Sequence, residues 1–335
     1  MKILSAFIAL AVFVGCVSMS DDCPVVESED VAFGEVSVRV DYEDENTKAN
    51  TDYVTALDAE LKVNGISLLV FDGETGVLNA TAQIKSLSDK CKMYLPAGRK
   101  TVYAVVNGPS LNDVRREGDM AGLMDDLSAS SMGTAGLMMV GSSECEVVSG
   151  ASDVPVTVVV RWLVSRIVLG KVLCNIPEQY GQMTLDCVYL GNANAKQYFS
   201  GRVEKMVNLK GYSAAGKAIG LSGVSGECES YMFRTVGETI SVGGSSKGKY
   251  HMYCQPNADA EHTCVYILTT IGGVRYYYRV PLDQGLTANT TCSVEVKITN
   301  LGSLTPPDGD MHRGEIVASV TIDGWAPGNN YTAEF

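Results

Sequence analysis

The sequence predicts an all-β protein made of two β-sandwiches in tandem. Three observations carry that prediction. Apolar and polar residues alternate along many short segments, as where Val36, Val38 and Val40 alternate with Ser37 and Arg39; this is the period of a strand with one buried face. Clusters of Gly, Asn, Asp and Ser punctuate those segments, as turns require. The chain left after a leader of 15 residues is long enough for two domains of ordinary size. We place their boundary near residue 160, giving sandwiches over 31–160 and 161–335.

The leader comes first. Lys2 is followed by an apolar or small run from Ile3 to Val14, broken only by Ser5, then by Gly15 and Cys16. A basic start, a short apolar core and small residues at its end make a secretory signal, too short to span a bilayer. "FVGC", Phe13 to Cys16, resembles a bacterial lipobox, in which the signal is cut before a cysteine whose thiol then carries lipid. Phe13 stands where such a motif usually has Leu. On this reading residues 1–15 are the signal peptide, Cys16 is the lipidation site, and 16–30 is a tether on the outer membrane surface. "SDDC", Ser20 to Cys23, resembles the acidic surface-display tag of Bacteroidetes lipoproteins. The other reading is an ordinary secreted protein with an early cysteine.

"VAFGEVSVRVDY", Val31 to Tyr42, is the first expected strand, and an acidic stretch from Glu43 to Asp52 follows it. "GISLLVFDGETGVL" reads as strand, Asp-Gly turn and strand. "LPAGRKTVYAVVNGP", Leu95 to Pro109, reads as a turn and then a strand. Val102, Ala104 and Val106 face one side of it, Tyr103 and Val105 the other. Two largely apolar faces imply a central, covered strand. "SLNDVRREGDMAGLMDDL", Ser110 to Leu127, breaks the pattern. Ser110 and Asn112 suit a helix cap, and Leu111, Val114, Met120, Leu123 and Met124 form a rough stripe, so a short inserted helix is expected there.

"VTVVVRWLVSRIVLGKVLC" opens the second half with a long β-rich run. "TCVYILTTIGGVRYYYRVPL" is a hairpin around Gly272-Gly273. In "TCSVEVKITNLG", Val294, Val296 and Ile298 face one way, and Ser293, Glu295 and Lys297 the other. "EIVASVTIDGW" is the last strand, with a terminal strand placed at Ile316 to Trp325 or in the tail to Phe335.

Composition excludes several functions. The net charge of −13 and the absence of any Lys/Arg cluster argue against nucleic acid as a partner. Ten cysteines are present; with Cys16 lipidated, nine remain, an odd set that cannot pair fully within one chain. No CxxC occurs, so neither a zinc ribbon nor a thioredoxin-like site is indicated.

Short motifs that suggest chemistry lack their context. Gly243, Gly248 and Lys249 satisfy G-x-x-x-x-G-K, but Tyr250 stands where a phosphate loop needs Ser or Thr, and no helix pattern follows. Gly244, Ser246 and Gly248 spell G-x-S-x-G, again without the helix of a nucleophile elbow. Both read as a Gly/Ser hairpin loop. The three histidines, His251, His262 and His312, form no HExxH pattern. "DGDMH", Asp308 to His312, and "DYEDEN", Asp41 to Asn46, read as solvated acidic turns rather than metal loops. No catalytic residue, metal or cofactor is expected. "RYYYR", Arg275 to Arg279, suits either an aromatic glycan platform or a strand with tyrosines on both faces, the second being preferred.

Three segments taken together resemble the fimbrial lipoproteins of Bacteroidales type V pili, closest to the minor-fimbria anchor subunits. They are "LLVFDGETGVL", "LPAGRKTVYAVVNGP" and "YYRVPLDQGLTANTTCSVEVKITNLGS". Phe71-Asp72, Leu95-Pro96, Gly98, Tyr103, Asn107, Pro281-Leu282, Asn289-Thr290, Val294, Val296, Ile298 and Leu301-Gly302-Ser303 match the family pattern. "RWLVSRIVL", Arg161 to Leu169, resembles the strand that opens the family's second domain. Cys292 departs from the usual aromatic and Ala288 from a common Arg.

The resemblance implies transthyretin-like sandwiches and a structural role: anchoring a fimbria to the outer membrane through the lipid, and limiting its length. It implies stalk subunits as partners by β-strand exchange, in which a protease trims the first strand after a basic residue. Arg39 is the candidate position, with Lys48 beyond it. A stalk or tip subunit of the same kind of pilus and a surface glycan-binding lipoprotein are the other readings.

Overall fold

The computed structural model describes residues 32–42, 53, 55–129, 135–207, 209–212, 218–220, 228–258, 262–305 and 316–325. Cys16, Lys48, residues 308–312 and the acidic residues 43–46 lie outside them. The first eight strands are β1 (Phe33–Tyr42), β2 (Ile66–Asp72), β3 (Leu78–Ile84), β4 (Cys91–Pro96), β5 (Gly98–Val106), β6 (Met124–Asp126), β7 (Met139–Val147) and β8 (Val154–Trp162). Seven of them form one hydrogen-bonded sheet in the order β3-β2-β5-β7-β8-β1-β4. Its ladder nearly breaks where β7 meets β8, which share only the pairs Met139–Trp162 and Val140–Arg161. The two parts enclose one core, with Val36, Val38 and Val40 from one part and Leu68, Val70, Val102 and Ala104 from the other.

The remaining strands are β9 (Ser165–Cys174), β10 (Met183–Gly191), β11 (Ala193–Tyr198), β12 (Val203–Val207), β13 (Leu209–Tyr212), β14 (Ala218–Gly220), β15 (Phe233–Ile240), β16 (Tyr250–Cys254), β17 (Cys264–Ile271), β18 (Val274–Pro281), β19 (Thr290–Ile298) and β20 (Ile316–Gly324). They form two four-stranded sheets, β16-β9-β19-β20 and β15-β10-β17-β18, with a β13-β14 ribbon. A small sheet, β12-β11-β6, borrows β6 from the first half. The all-β expectation is met.

Local chemistry explains the details. Strand β5 is central, between β2 and β7, and both of its faces are covered as its sequence suggests: Val102, Ala104, Val105 and Val106 are all buried. The β17–β18 hairpin turns on Gly272 and Gly273, both at positive φ, as a two-residue turn matching the strand twist demands. The Leu301-Gly302-Ser303 motif folds back on β18, where Tyr277 and Ser303 exchange two backbone hydrogen bonds. A Cβ at Gly302 would lie 2.5 Å from the Tyr277 carbonyl oxygen, so only glycine fits.

The inserted helix is shorter than expected. Over 110–127 the structure has a 3₁₀ turn, Glu117–Gly122, followed by β6. Asp119 accepts the backbone N–H groups of Arg115 and Arg116 at 2.9 and 2.8 Å, which fixes a tight turn instead of an α-helical start. Its apolar stripe does pack: Val114 and Met120 are buried with Leu69, Phe71 and Val105, and Leu111 and Leu123 lie against them. Pairing with β11 then draws 124–126 into a strand.

Candidate functional site

The sequence singles out β1. It lies inside its sheet, antiparallel to β4 through Phe33 to Val38 and parallel to β8 through Val36 to Tyr42. Val36, Val38, Val40 and Tyr42 point into the core and are buried. Arg39 points outward, half-buried, its guanidinium 3.0 Å from Asp41. Pairing with β4 ends at Val38. Arg39 therefore sits where the strand passes from two described neighbours to one. The inward residues facing this stretch from β4 and β8 are Met93, Leu95, Val156 and Val158, all in the same core. Withdrawing residues 33–39 would leave an apolar trough between two strand edges.

Behind the far end of β1 lies a buried network that joins the two halves. Tyr42 stacks on Trp162 with ring centroids 5.6 Å apart, and Trp162 stacks on Trp325 at 4.3 Å. The Arg166 guanidinium lies 4.7 Å from the Trp325 ring centre. Arg166 and Glu60 are both fully buried and form an ion pair at 2.8 Å. Arg166 also donates to the carbonyls of Thr55 and Tyr53, at 3.0 and 2.5 Å, and to Thr291 Oγ1 at 3.0 Å. The Tyr253 hydroxyl donates to Glu60. Burial pushes the Glu60 carboxyl up, against the pull of Arg166 and Tyr253; Tyr253 is held well above its usual range by burial and then by Glu60. A Cβ at Gly170 would lie 2.4 Å from the Tyr53 ring, so the glycine on β9 makes the space for this segment.

Sequence reasoning did not find the Glu60–Arg166 pair. Its signal was Arg166 itself, a charge inside the apolar run of "RWLVSRIVL", because a fully buried charge needs a partner.

The other motifs are structural. The Ser246 hydroxyl accepts from the Val172 N–H at 3.0 Å, and the Ser246 N–H donates to the Val172 carbonyl at 2.8 Å, so this serine pairs along the edge of β9 instead of presenting a nucleophile. Lys249 lies over the Tyr53 ring at 4.8 Å. Burial, with Arg166, Arg234 and Lys249 nearby, brings His251 down to about 4. In "RYYYR", Tyr278 is buried with its hydroxyl on the Asn300 carbonyl at 2.8 Å, and Tyr276 and Tyr277 pack against the core, so this strand presents no aromatic platform. The eight described cysteines are thiols, none in a disulfide. Among the described residues no group of three His, Cys, Asp or Glu side chains could hold a metal ion.

Most of the sheet around β1 has a match among known families. Residues 34–157 match the major fimbrial subunit protein (FimA) family. The FimA-type segment starts at the second residue of β1 and ends within β8. The fold is that of solved fimbrial proteins. A fimbrilin (fimA) from Porphyromonas gingivalis W83 aligns with a TM-score of 0.62 at 14% identity, over 89% of this chain and 99% of its own. The tip fimbrial protein Mfa3 from the same species, with a C-terminal truncation, aligns at 0.51 and 16%, over 88% and 100%. No curated protein matches the sequence. The motif resemblance to Bacteroidales fimbrial proteins is borne out at the level of the FimA-type segment and the fold, and that family is one of fimbrial subunits.

Proposed function

We propose that this chain is a structural subunit of a fimbrium that anchors it to the outer membrane through a lipid on Cys16. The FimA-type match and the fimbrilin fold support a pilus component. The observation that the anchor role is argued from is the seating of β1 between β4 and β8. Its first seven residues bury Val36 and Val38, and each buried valine is worth roughly 1.5–3 kcal/mol. A subunit stripped of these residues would need a replacement strand, and pairing with a neighbour's strand supplies both the backbone hydrogen bonds and the apolar contacts. A subunit that keeps them has its trough already filled. Polymer growth ends there, which limits length. Cutting after Arg39 would also separate the chain from Cys16, so an anchor retains the Arg39–Val40 bond.

The test is a strain carrying Cys16→Ala, with pili on cells and in the medium compared by electron microscopy. The anchor reading expects long pili shed into the medium. Attached pili of normal length would sink it. N-terminal sequencing of the protein from cell-surface pili separates the second reading: a new terminus at Val40 would make this a stalk or tip subunit assembled by strand exchange.

A further inference from the structure

Strand β6 belongs to the first half in sequence and to the second in space. Lys196, Gln197 and Tyr198 of β11 pair with Asp126, Asp125 and Met124. The Leu127 N–H donates to the Ala195 carbonyl, and the Phe199 N–H to the Leu123 carbonyl, each at 2.9 Å. This seam contains a carboxyl group whose surroundings suit a proton better than a charge.

Asp125 is 6% exposed. Gln255, fully buried, donates its Nε2 to Asp125 Oδ2 at 2.6 Å. Gln255 is itself fixed by its backbone N–H on the Asn194 carbonyl at 2.9 Å. Gln197, 8% exposed, is the direct cross-strand partner of Asp125, which sets their Cβ atoms about 5 Å apart on one face. The Oε1 atoms of Gln197 and Gln255 are both buried without a hydrogen-bond partner. Asp125 thus meets one donated N–H, that of Gln255, and faces Gln197 across the seam. Among the described residues, the charged groups beside them are Asp126, on the same strand and of the same sign, and Lys196, which Asp126 holds at 2.6 Å. A buried carboxylate without a counter-charge is costly, and so is an orphaned buried acceptor. One proton on Asp125 removes the charge and supplies a donor without needing any cavity.

We propose that Asp125 takes up a proton in the folded protein under mildly acidic conditions, and that it makes the β6–β11 seam a joint that tightens in acid and loosens as the group ionises. Burial first, and Asp126 after it, push this carboxyl up to about 6 from an ordinary 3.8. The folded state therefore binds the proton more tightly than the unfolded chain. The stabilisation is complete below about pH 4 and is lost as pH rises through 6. A shift of that size changes the folding constant on the order of a hundredfold.

The experiment is urea unfolding of the full chain between pH 4 and pH 8, for the parent, Asp125→Asn and Asp126→Asn. The parent is expected to lose about a hundredfold in folding constant relative to Asp125→Asn across that range, and Asp126→Asn is expected to keep the downward slope. Equal pH slopes in the parent and Asp125→Asn would overturn the proposal. An infrared difference spectrum of the parent between pH 5 and pH 8 keeps the test open if Asp125→Asn fails to fold. A hydrogen-bonded protonated-carboxyl band at pH 5 that vanishes at pH 8 supports the assignment, and its absence at pH 5 refutes it.

Discussion

Strands β1 and β9 hold the same place in the two halves. Each is the first of its half, and each runs parallel to a late strand on one side and antiparallel to another strand on the other. Their arginines differ. Arg39 points out of β1, half-buried, with Asp41 3.0 Å from its guanidinium. Arg166 points into the packing of β9, where Glu60, Thr291 and two backbone carbonyls hold it. A half-exposed ion pair contributes little, since water competes for both groups. A buried one fixes everything it touches, because breaking it leaves a charge with no solvent. So β1 is held by its valines and its ladder, whereas β9 is also locked by charge.

The sharpest way to break this contrast is to delete residues 33–39. The loss of Val36 and Val38 from the core alone should remove about 3–6 kcal/mol, read as a fall in the urea midpoint, and a synthetic peptide of residues 32–42 should restore much of it. Unchanged stability would show that β1 does not hold its own half together. Next in size, Glu60→Ala should cost about 3–5 kcal/mol by leaving Arg166 buried alone. The double change Glu60→Leu with Arg166→Met should recover most of that loss. If the single change is silent, the lock on β9 is not electrostatic.

A smaller effect concerns Asp72, at the turn after β2. Buried Lys100 lies 2.8 Å away. Lys100, together with the Thr75 N–H and hydroxyl, holds the Asp72 carboxyl well below the usual carboxylate range. Because this folded pKa is depressed, the group stabilises the protein above about pH 4 and loses that effect as pH falls further. Lys100→Met should flatten the acid limb of stability below pH 4, opposite in sign to the Asp125 effect; an unchanged limb would discount the pair. The smallest expected change is Asp41→Asn, under about 0.5 kcal/mol in the same unfolding assay. A larger loss would mean that Arg39 anchors β1 after all.

Much of the fold is legible in the sequence. The first strand, expected at 31–42, is Phe33–Tyr42, and the last, expected from Ile316, is Ile316–Gly324. The hairpin at Gly272-Gly273 and the alternation of Val294, Val296 and Ile298 are where the residues put them. The segment 110–127 was misjudged in length, because a stripe of apolar residues specifies a buried face but not the backbone that presents it. Asp119 and the pull of β11 decided that locally.

The candidate site divides in the same way. Position and facing of Arg39 follow from the period of β1, since successive side chains of a strand point to opposite faces whatever they pair with. Partners do not follow. Glu60 meets Arg166 across 106 residues, Gln255 reaches Asp125 across 130, and β6 leaves its own half to pair with β11. The sequence alone determined which stretches are strands and which of their faces are apolar, because burial of a face is a local demand. Only the tertiary structure decided which edges meet and which buried charges are neutralised, because a two-residue period is the same in every strand and carries no address for its partner.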